Sequence, residues 1–410
     1  MGKPKIRFKG YEDDWEQRKL SDIYASIGNA FVGTATPYYV ESGHFYLESN
    51  NIKDGQINHN SEIFINDEFY EKQKDKWLHT GDMVMVQSGH VGHAAVIPEE
   101  LDNSAAHALI MFRHPKEKIE PYFLNYQYQT NKSKKKIEEI TTGNTIKHIL
   151  ASDMQEFVVD ITNYDEQKKI GSYFQKLDHL ITLHQRKCEE TKSLKKYMLQ
   201  KMFPENGNCV PKIRFSGFAD AWEQRKLKDY LEVSREKNKT ESYGKEDVLS
   251  VSGEHGIVNQ IEFQGRSFAG VSVANYGVVE AGDVVYTKSP LKSNPYGIIK
   301  TNKGKTGIVS TLYAVYKPRM NTNSEFVQIY FELDSRMNSY MHPLVNKGAK
   351  NDMKVSDENA LKGPVAFPEL EEQNAITQYF DKLDRLNTLH QHKCDELQKL
   401  KKFMLQNMFV

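Results

Sequence analysis

The sequence predicts an α+β protein with two globular domains and two long helices, built from one frame that is used twice. A 16-residue block at residues 5–20 recurs at residues 212–227 with 12 identities. A 38-residue block at residues 166–203 recurs without a gap at residues 372–409, with 24 identities. The segments between these blocks have diverged. Repeats of this kind indicate one structural role that is played twice, around two different inserts.

Both inserts are expected to form α+β domains of about 145 residues, which is an ordinary size for one domain. Short apolar runs that are bounded by Gly and polar turns are typical of buried strands. Helix-like stretches follow at residues 121–140 and 324–340. The predicted strands lie at residues 83–86, 94–97, 109–112, 284–287, 297–300 and 314–316.

The 38-residue blocks are expected to be helices, because their apolar residues recur at steps of three and four and form one stripe. Acidic residues open each block and Lys residues close it, which suits the helix macrodipole. Pro368 is expected in the first turn of the second helix, and Pro204 is expected to end the first. The stripe comprises Ile170, Tyr173, Phe174, Leu177, Leu180, Ile181, Leu183, Cys188, Leu194, Met198 and Met202, and in the second copy Ile376, Tyr379, Phe380, Leu383, Leu386, Leu389, Cys394, Leu400, Met404 and Met408.

A 38-residue helix with one apolar stripe needs a partner along its length of about 57 Å. Its own copy is the natural partner, and we expect an antiparallel intrachain coiled coil with pseudo-two-fold symmetry. The alternative is two ordinary core helices, one in each domain. Cys188 and Cys394 are at equivalent positions and are expected to be buried apolar side chains rather than redox groups.

The repeats predict four consecutive segments. Residues 1–160 form the first globular domain with an N-terminal arm, and residues 161–204 form the central helix. Residues 205–366 form the second globular domain, and residues 367–410 form the C-terminal helix.

Composition excludes several classes of protein. The chain has 55 Lys and Arg against 55 Asp and Glu, which argues mildly against a free-standing nucleic-acid binder. Its mean hydropathy of -0.66 and the lack of a long apolar run argue against a membrane span. Three Cys residues argue against a disulfide scaffold, and the first seven residues lack the apolar stretch of a signal peptide. We therefore expect a cytoplasmic protein.

Motifs for catalysis are incomplete. Gly304 to Thr306 resembles the end of a phosphate-binding loop, but Ile299 stands where the motif needs a Gly. His90 and His93 have the spacing of metal ligands, yet no cluster supplies a third ligand, so we expect them to face water or a polar ligand. No Gly-x-Ser-x-Gly elbow is present. The sequence offers no positive case for an enzyme, and no metal site is predicted.

Polar loops at matching places of the two inserts are the candidate binding residues. Lys can hold phosphates, while Asn, Gln, Ser and His can read base edges. The alternative is that these are ordinary solvated loops. The candidates for contact with DNA are Gln87, Ser88, His90, His93, Lys134, Lys135, Asn144, Thr145 and Lys147 in the first insert, and Lys288, Ser289, Lys292, Ser293, Asn294, Lys347, Lys350 and Asn351 in the second.

The whole chain resembles the specificity subunits of type I restriction-modification enzymes. One shared block runs from Ile-Arg-Phe-x-Gly to Trp-Glu-Gln-Arg-Lys-Leu, at residues 6–20 and 213–227. Another is Glu-Gln-x-x-Ile, at residues 166–170 and 372–376. The last is a Lys-Leu-Asp-x-Leu run, at residues 176–187 and 382–393. In the family a Pro-rich lead precedes the helix; the first copy departs from this with Ile161-Thr162.

This resemblance implies that each insert is a target recognition domain that reads half of a split site in double-stranded DNA. The repeated helices would set the spacer and dock two modification subunits, which supply the adenine methyltransferase and its S-adenosylmethionine. Motor-nuclease restriction subunits, with ATP and Mg, would complete the complex. The chain itself would bind no cofactor and would not be catalytic.

Two other functions remain open at this point. One is a coiled-coil adaptor whose inserts bind protein partners. The other is an enzyme with an unrecognised site.

Overall fold

The computed structural model describes residues 2–143, 146–205, 207–291, 294–347 and 353–410. Contacts divide the chain into two compact units. Unit 1 comprises Met1–Gln185 and Gln391–Val410, and unit 2 comprises Arg186–His390. Each unit thus combines one insert with part of each repeated helix. The predicted domain boundaries follow the sequence repeat instead, and they stay a prediction.

Unit 1 is built on a four-stranded antiparallel sheet of order β2-β11-β8-β9. A second sheet has the order β10-β4-β7-β3, and β1 pairs with β12. The strands are β1 (Glu16–Lys19), β2 (Tyr24–Asn29), β3 (Tyr39–Val40), β4 (His44–Leu47), β5 (Ile52–Lys53), β6 (Gln56–Ile57), β7 (Phe64–Ile65), β8 (Met83–Val86), β9 (Ala94–Val96), β10 (Ala105–Ala106), β11 (Leu109–Pro115) and β12 (Val158–Ile161).

The helices of this insert are α1 (Leu20–Ile23), α2 (Asp67–Glu71), α3 (Pro121–Tyr128), α4 (Asn131–Ile140) and α5 (Ala151–Glu156). The prediction of one helix over residues 121–140 is wrong, because Thr130 separates α3 from α4. Thr130 has an extended backbone, and its hydroxyl accepts the N–H of Ser133 at 3.2 Å. That is the geometry of an N-cap, which starts a new helix.

Unit 2 repeats the central sheet with the order β14-β21-β18-β19. Its small antiparallel pairs are β13 with β24, β15 with β16, β17 with β20 and β22 with β23. The strands are β13 (Glu223–Lys226), β14 (Leu231–Val233), β15 (Leu249–Ser252), β16 (Gly256–Asn259), β17 (Gly277–Val279), β18 (Val284–Thr287), β19 (Ile299–Thr301), β20 (Gly307–Val309), β21 (Tyr313–Pro318), β22 (Asn346–Lys347), β23 (Met353–Lys354) and β24 (Pro364–Phe367).

The remaining helices are α6 (Tyr164–Lys201), α7 (Gln260–Gln264), α8 (Ser324–Tyr330), α9 (Asp334–Met341) and α10 (Leu370–Asn407). Helices α6 and α10 have 38 residues each and begin and end two residues before the repeated blocks at 166–203 and 372–409. Pro368 lies before α10 rather than in its first turn. The predicted helix over residues 324–340 is split, and the Arg336 side chain donates to the carbonyl of Tyr330 at 2.7 Å, where α8 ends. Among the described residues, no helix is long and apolar enough to cross a membrane.

The two long helices run antiparallel within each unit. In unit 1, Lys401 of α10 bonds Asp178 of α6 at 2.6 Å, and the rings of Phe174 and Phe409 lie 5.9 Å apart. Residue numbers therefore rise along one helix as they fall along the other. The predicted α+β class and the antiparallel pairing are confirmed.

Unit 2 repeats these contacts with the roles of the helices exchanged. Lys195 of α6 bonds Asp384 of α10 at 2.7 Å, and the rings of Phe203 and Phe380 lie 6.1 Å apart. The thiol of Cys188 lies 3.5 Å from the carbonyl oxygen of Asn387. Cys188 and Cys394 are both buried, as expected for apolar side chains.

The repeated sequence blocks meet in a buried ion pair in each unit. The guanidinium of Arg7 donates to both carboxylate oxygens of Glu166, at 2.7 and 2.8 Å. Arg214 does the same to Glu372, at 2.7 Å to each oxygen. Both glutamates are fully buried and lie in the first turn of a long helix. This geometry ties the block before each insert to the helix after it.

A tryptophan completes each junction. In unit 1, Trp15 packs against Phe123 at 5.4 Å and against Phe409 at 6.0 Å, while the N–H of Ile6 donates to Asn407. In unit 2, Trp222 packs in the same way against Phe203 and Phe326, and the N–H of Ile213 donates to the carbonyl of Lys201. Each core is therefore closed by the end of the helix that belongs to the other repeat.

Replacing Arg214 with Ala should destabilise unit 2 by about 3–5 kcal/mol, because it leaves the buried Glu372 carboxylate without a counter-charge. Urea unfolding followed by tryptophan fluorescence measures this change. The matched control is Arg225→Ala, which removes an exposed pair with Glu223 and should leave the midpoint unchanged. Equal effects of the two substitutions would contradict the role given to the buried pair.

Candidate nucleic-acid interface

In unit 1 the two predicted loops are brought together. The loop between β8 and β9 lies against residues 147–149: the N–H of Gly89 donates to Lys147 at 3.0 Å, and the N–H of Ile149 donates to Gln87 at 3.0 Å. Ser88 forms an isolated β-bridge with His148. These backbone bonds hold both polar loops at one end of the central sheet.

A cleft of about 400 Å³ opens beside these loops. The hairpin of β5 and β6, the β8–β9 loop and helices α3 and α4 form its walls. Four predicted residues lie on it: His90, His93, Lys134 and Lys147. Gln87 and Ser88 lie next to it in the same loop, and Lys135 is exposed on α4. Asn144 and Thr145 lie outside the described residues.

The β8–β9 loop needs Gly at position 92. Gly92 has φ of 87°, a left-handed conformation that favours Gly. A Cβ built there would also lie 2.7 Å from the Ile137 side chain. The close approach of this loop to α4 therefore depends on the absence of a side chain.

The two histidines are oriented by backbone groups. The N–H of Asp54 donates to His93 Nδ1 at 3.1 Å, so this nitrogen is unprotonated and Nε2 carries the proton of the neutral ring. His90 Nε2 lies 2.9 Å from the carbonyl oxygen of Ser49 and is the donor there. Burial lowers the pKa of His93, while Asp54 opposes this effect. Near neutral pH, His93 is therefore a neutral donor. Among the described residues, no group of three His, Cys, Asp or Glu could hold a metal ion.

Helix α3 contributes polar residues that sequence reasoning missed. Asn125 and Tyr128 line the cleft but are nearly fully buried. The Asn125 Oδ1 and the Tyr128 hydroxyl have no hydrogen-bond partner within the described part of the chain. Buried polar atoms usually have a partner. The signal in the sequence was Asn and Gln within an otherwise apolar helix, which the search for loops passed over.

In unit 2 the corresponding loop is more closely tied to the domain. Lys288 forms an ion pair with Asp357 at 3.0 Å, and this pair joins the β18–β19 loop to the segment after β23. Asn294 is buried in a turn, where its N–H donates to Leu291 at 3.1 Å. Ser289 is half-buried. The β18–β19 loop of unit 2 is therefore held against the segment after β23.

The structure leaves several predicted residues of unit 2 without a description. Lys347 lies in β22, and its side chain is not described. Lys292, Ser293, Lys350 and Asn351 lie outside the described residues. No contact with DNA is tested for any of the candidate residues in either insert, and their roles stay predictions.

The stability of unit 1 should depend on pH through His93. Its folded pKa lies below the ordinary value of about 6.5, so the unfolded chain takes up the proton first as the pH falls. Stability is full above that value and declines below it, towards the folded pKa. His93→Asn keeps an acceptor for the Asp54 N–H but cannot titrate. Between pH 7.5 and 5.5, the urea midpoint should fall further for the wild type than for this variant. Parallel curves would contradict this prediction.

The sequence is similar to that of known proteins. Residues 12–193 match the family model of the type I restriction modification DNA specificity domain. A putative type I restriction enzyme specificity subunit of Methanocaldococcus jannaschii, MjaX, is 24% identical over 414 residues, which cover 95% of this chain and 91% of that protein.

A solved structure has the same fold. The type I restriction-modification S subunit of M. genitalium superimposes with a TM-score of 0.61, at 13% sequence identity and over 100% of this chain and 99% of that one. The family model covers the first repeat, and the second repeat has the same sequence blocks. The chain therefore carries a type I restriction modification DNA specificity domain at residues 12–193.

Proposed function

We propose that this chain is the DNA-recognition subunit of a type I restriction-modification complex, in which each insert reads one half of a bipartite, asymmetric site in double-stranded DNA. The observation that carries this proposal is one frame that holds two diverged inserts. Both inserts have a central sheet of the same strand order, and an equivalent buried ion pair joins the two parts of the frame on either side of each insert. A repeated frame indicates a common task, and divergent inserts indicate two different targets.

The cleft of unit 1 supports contact with DNA. Lys134 and Lys147 lie at its rim, and Lys147 is 3.6 Å from Glu138 on the same wall. Lysines in such a place can hold phosphates without regard to sequence. The neutral His93, with a proton on Nε2, is a donor that can distinguish base edges. Positive charge and directional polar groups thus lie within one cleft.

The long helices are proposed to set the spacer between the two half-sites. A helix of 38 residues has a fixed length of about 57 Å, because its backbone hydrogen bonds fix the rise per residue. Symmetric DNA-binding dimers engage half-sites that are separated by about one helical turn of DNA. Two helices of fixed length would give a single chain the same fixed separation of half-sites.

Exposed apolar residues on these helices support a docking role. We name two surfaces. The first, in unit 1, consists of Leu180, Leu400 and Phe403; the second, in unit 2, consists of Leu386, Leu194 and Tyr197. Members correspond one to one through the repeat. Sequence reasoning assigned both leucine pairs to the buried stripe, yet Leu194 is 43% exposed and Leu400 is 41% exposed. Exposed apolar groups at equivalent places are typical of protein interfaces.

Two equivalent surfaces, one in each unit, suit two copies of one partner. We propose that this partner is the methyltransferase subunit, which carries S-adenosylmethionine, and that restriction subunits with ATP and Mg complete the complex. The chain itself is proposed to bind no cofactor and to be non-catalytic. Because its target is cellular or invading DNA, the proposed location is the cytoplasm.

Exchanging the second insert tests the recognition role. Replacing residues 228–370 with the insert of another family member, and co-expressing the chain with the methyltransferase subunit, should change one half-site only. Mapping of methyladenine in the DNA measures the outcome. The first half-site and the spacer should stay unchanged, because unit 1 and the helices are intact.

The matched exchange of residues 21–164 should alter the other half-site. A change in both half-sites after a single exchange would contradict independent recognition. Absence of sequence-specific methylation in the wild-type complex, with no salt-dependent binding to duplex DNA, would favour the protein-binding adaptor instead.

Substitutions on the two apolar surfaces should remove methyltransferase subunits one at a time. Leu194→Glu and Leu400→Glu each place a charge on one surface, so each should leave one bound subunit per chain instead of two. The double variant should bind none. Native mass spectrometry of the co-expressed complexes counts the subunits. Ser193→Glu, at the adjacent exposed position, is the control and should retain both. Two retained copies in the Leu194→Glu complex would contradict the proposal.

A further inference from the structure

The turn between β20 and β21 of unit 2 presents a leucine to solvent. Leu312 is 61% exposed, although hydrogen bonds fix the turn that carries it. The N–H of Tyr313 donates to the carbonyl of Ser310 at 3.1 Å, and the N–H of Leu312 donates to the Ser310 hydroxyl at 3.4 Å. A single exposed leucine is ordinary on a protein surface, so its surroundings decide whether it has a role.

This turn lies next to the loop that carries the DNA-binding candidates of unit 2. The N–H of Lys288 donates to the carbonyl of Leu312 at 3.0 Å. Tyr313, the first residue of β21, pairs with Thr287, the last residue of β18. The turn and the β18–β19 loop therefore lie at the same end of the central sheet, and a backbone hydrogen bond joins them.

The leucine belongs to the second insert rather than to the repeated frame. Strands β11 and β21 begin opposite the last residues of β8 and β18, which are Val86 and Thr287. The residues just before β11 and β21, Ala108 and Leu312, are therefore equivalent. Ala108 is half-buried. The fold does not require a large apolar side chain here, and the two inserts differ at a place where they are proposed to read different sequences.

A second aliphatic side chain is exposed on the neighbouring segment. Val271 is 100% exposed, while Val273 is buried in a small core and anchors the segment. The segment leads into β17, whose first residue, Gly277, pairs with Val309 just before the turn. Two exposed aliphatic residues thus lie on segments that meet at this end of the sheet.

Positive charge borders these segments. A backbone hydrogen bond of 3.0 Å joins the loop of residues 234–243 to the segment before β17. Of the two acidic residues in this loop, Glu236 lies 3.7 Å from Lys317, and Glu241 accepts a hydrogen bond from the Ser272 hydroxyl at 2.9 Å. The cations of the loop outnumber the acids and are all exposed: Arg235, Lys237 and Lys239. Such a border suits the phosphates that flank a base contact.

We propose that Leu312 reads a thymine in the half-site of the second insert, by packing on the C5-methyl group of that base in the major groove. This inference rests on the proposed function, since it names a specificity-determining residue of the same recognition domain. Of the groups that distinguish base pairs in the major groove, the thymine methyl is the apolar one. Leu312 would shield that methyl from water, and Val271 would add apolar contact within the same groove. Because unit 1 has Ala108 instead, its half-site would be read without this contact.

The test uses the complex of the full chain with the methyltransferase subunit, after methyladenine mapping has given both half-sites. Each thymine of the second half-site is replaced in turn by deoxyuridine, which lacks only the methyl group. At one position the wild-type affinity should fall about fourfold, the loss expected when one apolar carbon is no longer buried. The Leu312→Ala complex should bind the thymine and deoxyuridine duplexes equally. Fluorescence anisotropy at one fixed salt concentration measures the affinities.

Met320→Ala is the matched control. Met320 is also an exposed apolar residue, 100% accessible, but it follows the opposite end of β21, so its variant should keep the fourfold discrimination. Deoxyuridine in the first half-site should affect the wild-type and Leu312→Ala complexes alike. Leu312→Asn provides a second variant of similar size, which should also lose the discrimination. Both Leu312 variants should melt within about two degrees of the wild type, because the side chain is exposed.

Equal affinity of the wild-type complex for every thymine and deoxyuridine duplex would overturn the proposal. So would a fourfold loss that persists in the Leu312→Ala complex, since the methyl group would then act through the shape of the DNA. Loss of methyltransferase binding by the Leu312 variants would assign the residue to a protein interface instead. If the wild-type complex shows no sequence-specific binding at all, the proposed function fails together with this inference, and that result differs from the loss of one methyl contact.

Discussion

The buried arginine–glutamate pair is the constraint on which the rest of the architecture depends. It joins a short block before each insert to the first turn of the helix after it, in the pairs Arg7–Glu166 and Arg214–Glu372. The glutamates are inaccessible to water, and a buried charge that loses its partner is strongly destabilising. The two ends of every insert are therefore held together, whatever sequence lies between them. This arrangement lets the inserts diverge while the frame stays the same.

Much of the frame could be predicted because its signals are local and repeated. Helical periodicity over 38 residues gave both long helices, and the strands at residues 83–86 and 284–287 were predicted at their observed bounds. The break after α3 was missed because Thr130 was read as one residue in a helical pattern rather than as an N-cap. Periodicity does not reveal this N-cap, because the hydrogen bond between the Thr130 hydroxyl and the N–H of Ser133 marks where the new helix begins.

The candidate sites were less predictable, because they depend on contacts between distant residues. That Lys288 is paired with Asp357, 69 residues away, could not be read from a loop. Asn125 and Tyr128 line the cleft of unit 1, but they lie on α3, a helix whose sequence is typical of a buried core. Periodicity also placed Leu194 and Leu400 in the buried stripe, because it cannot distinguish a face that packs within the chain from one that is left exposed. Such a distinction needs the positions of the neighbouring elements.

The core of each unit is completed by the helix end that belongs to the other repeat, and this has an evolutionary consequence. Phe409 packs on Trp15, while Phe203 packs on Trp222 in the same way. The two helix ends thus make equivalent contacts in the two units. A shorter ancestor with a single repeat could have completed its core by exchanging this helix end with a second copy of itself. Joining two copies in one gene would have kept both cores complete within one chain and freed each insert to diverge.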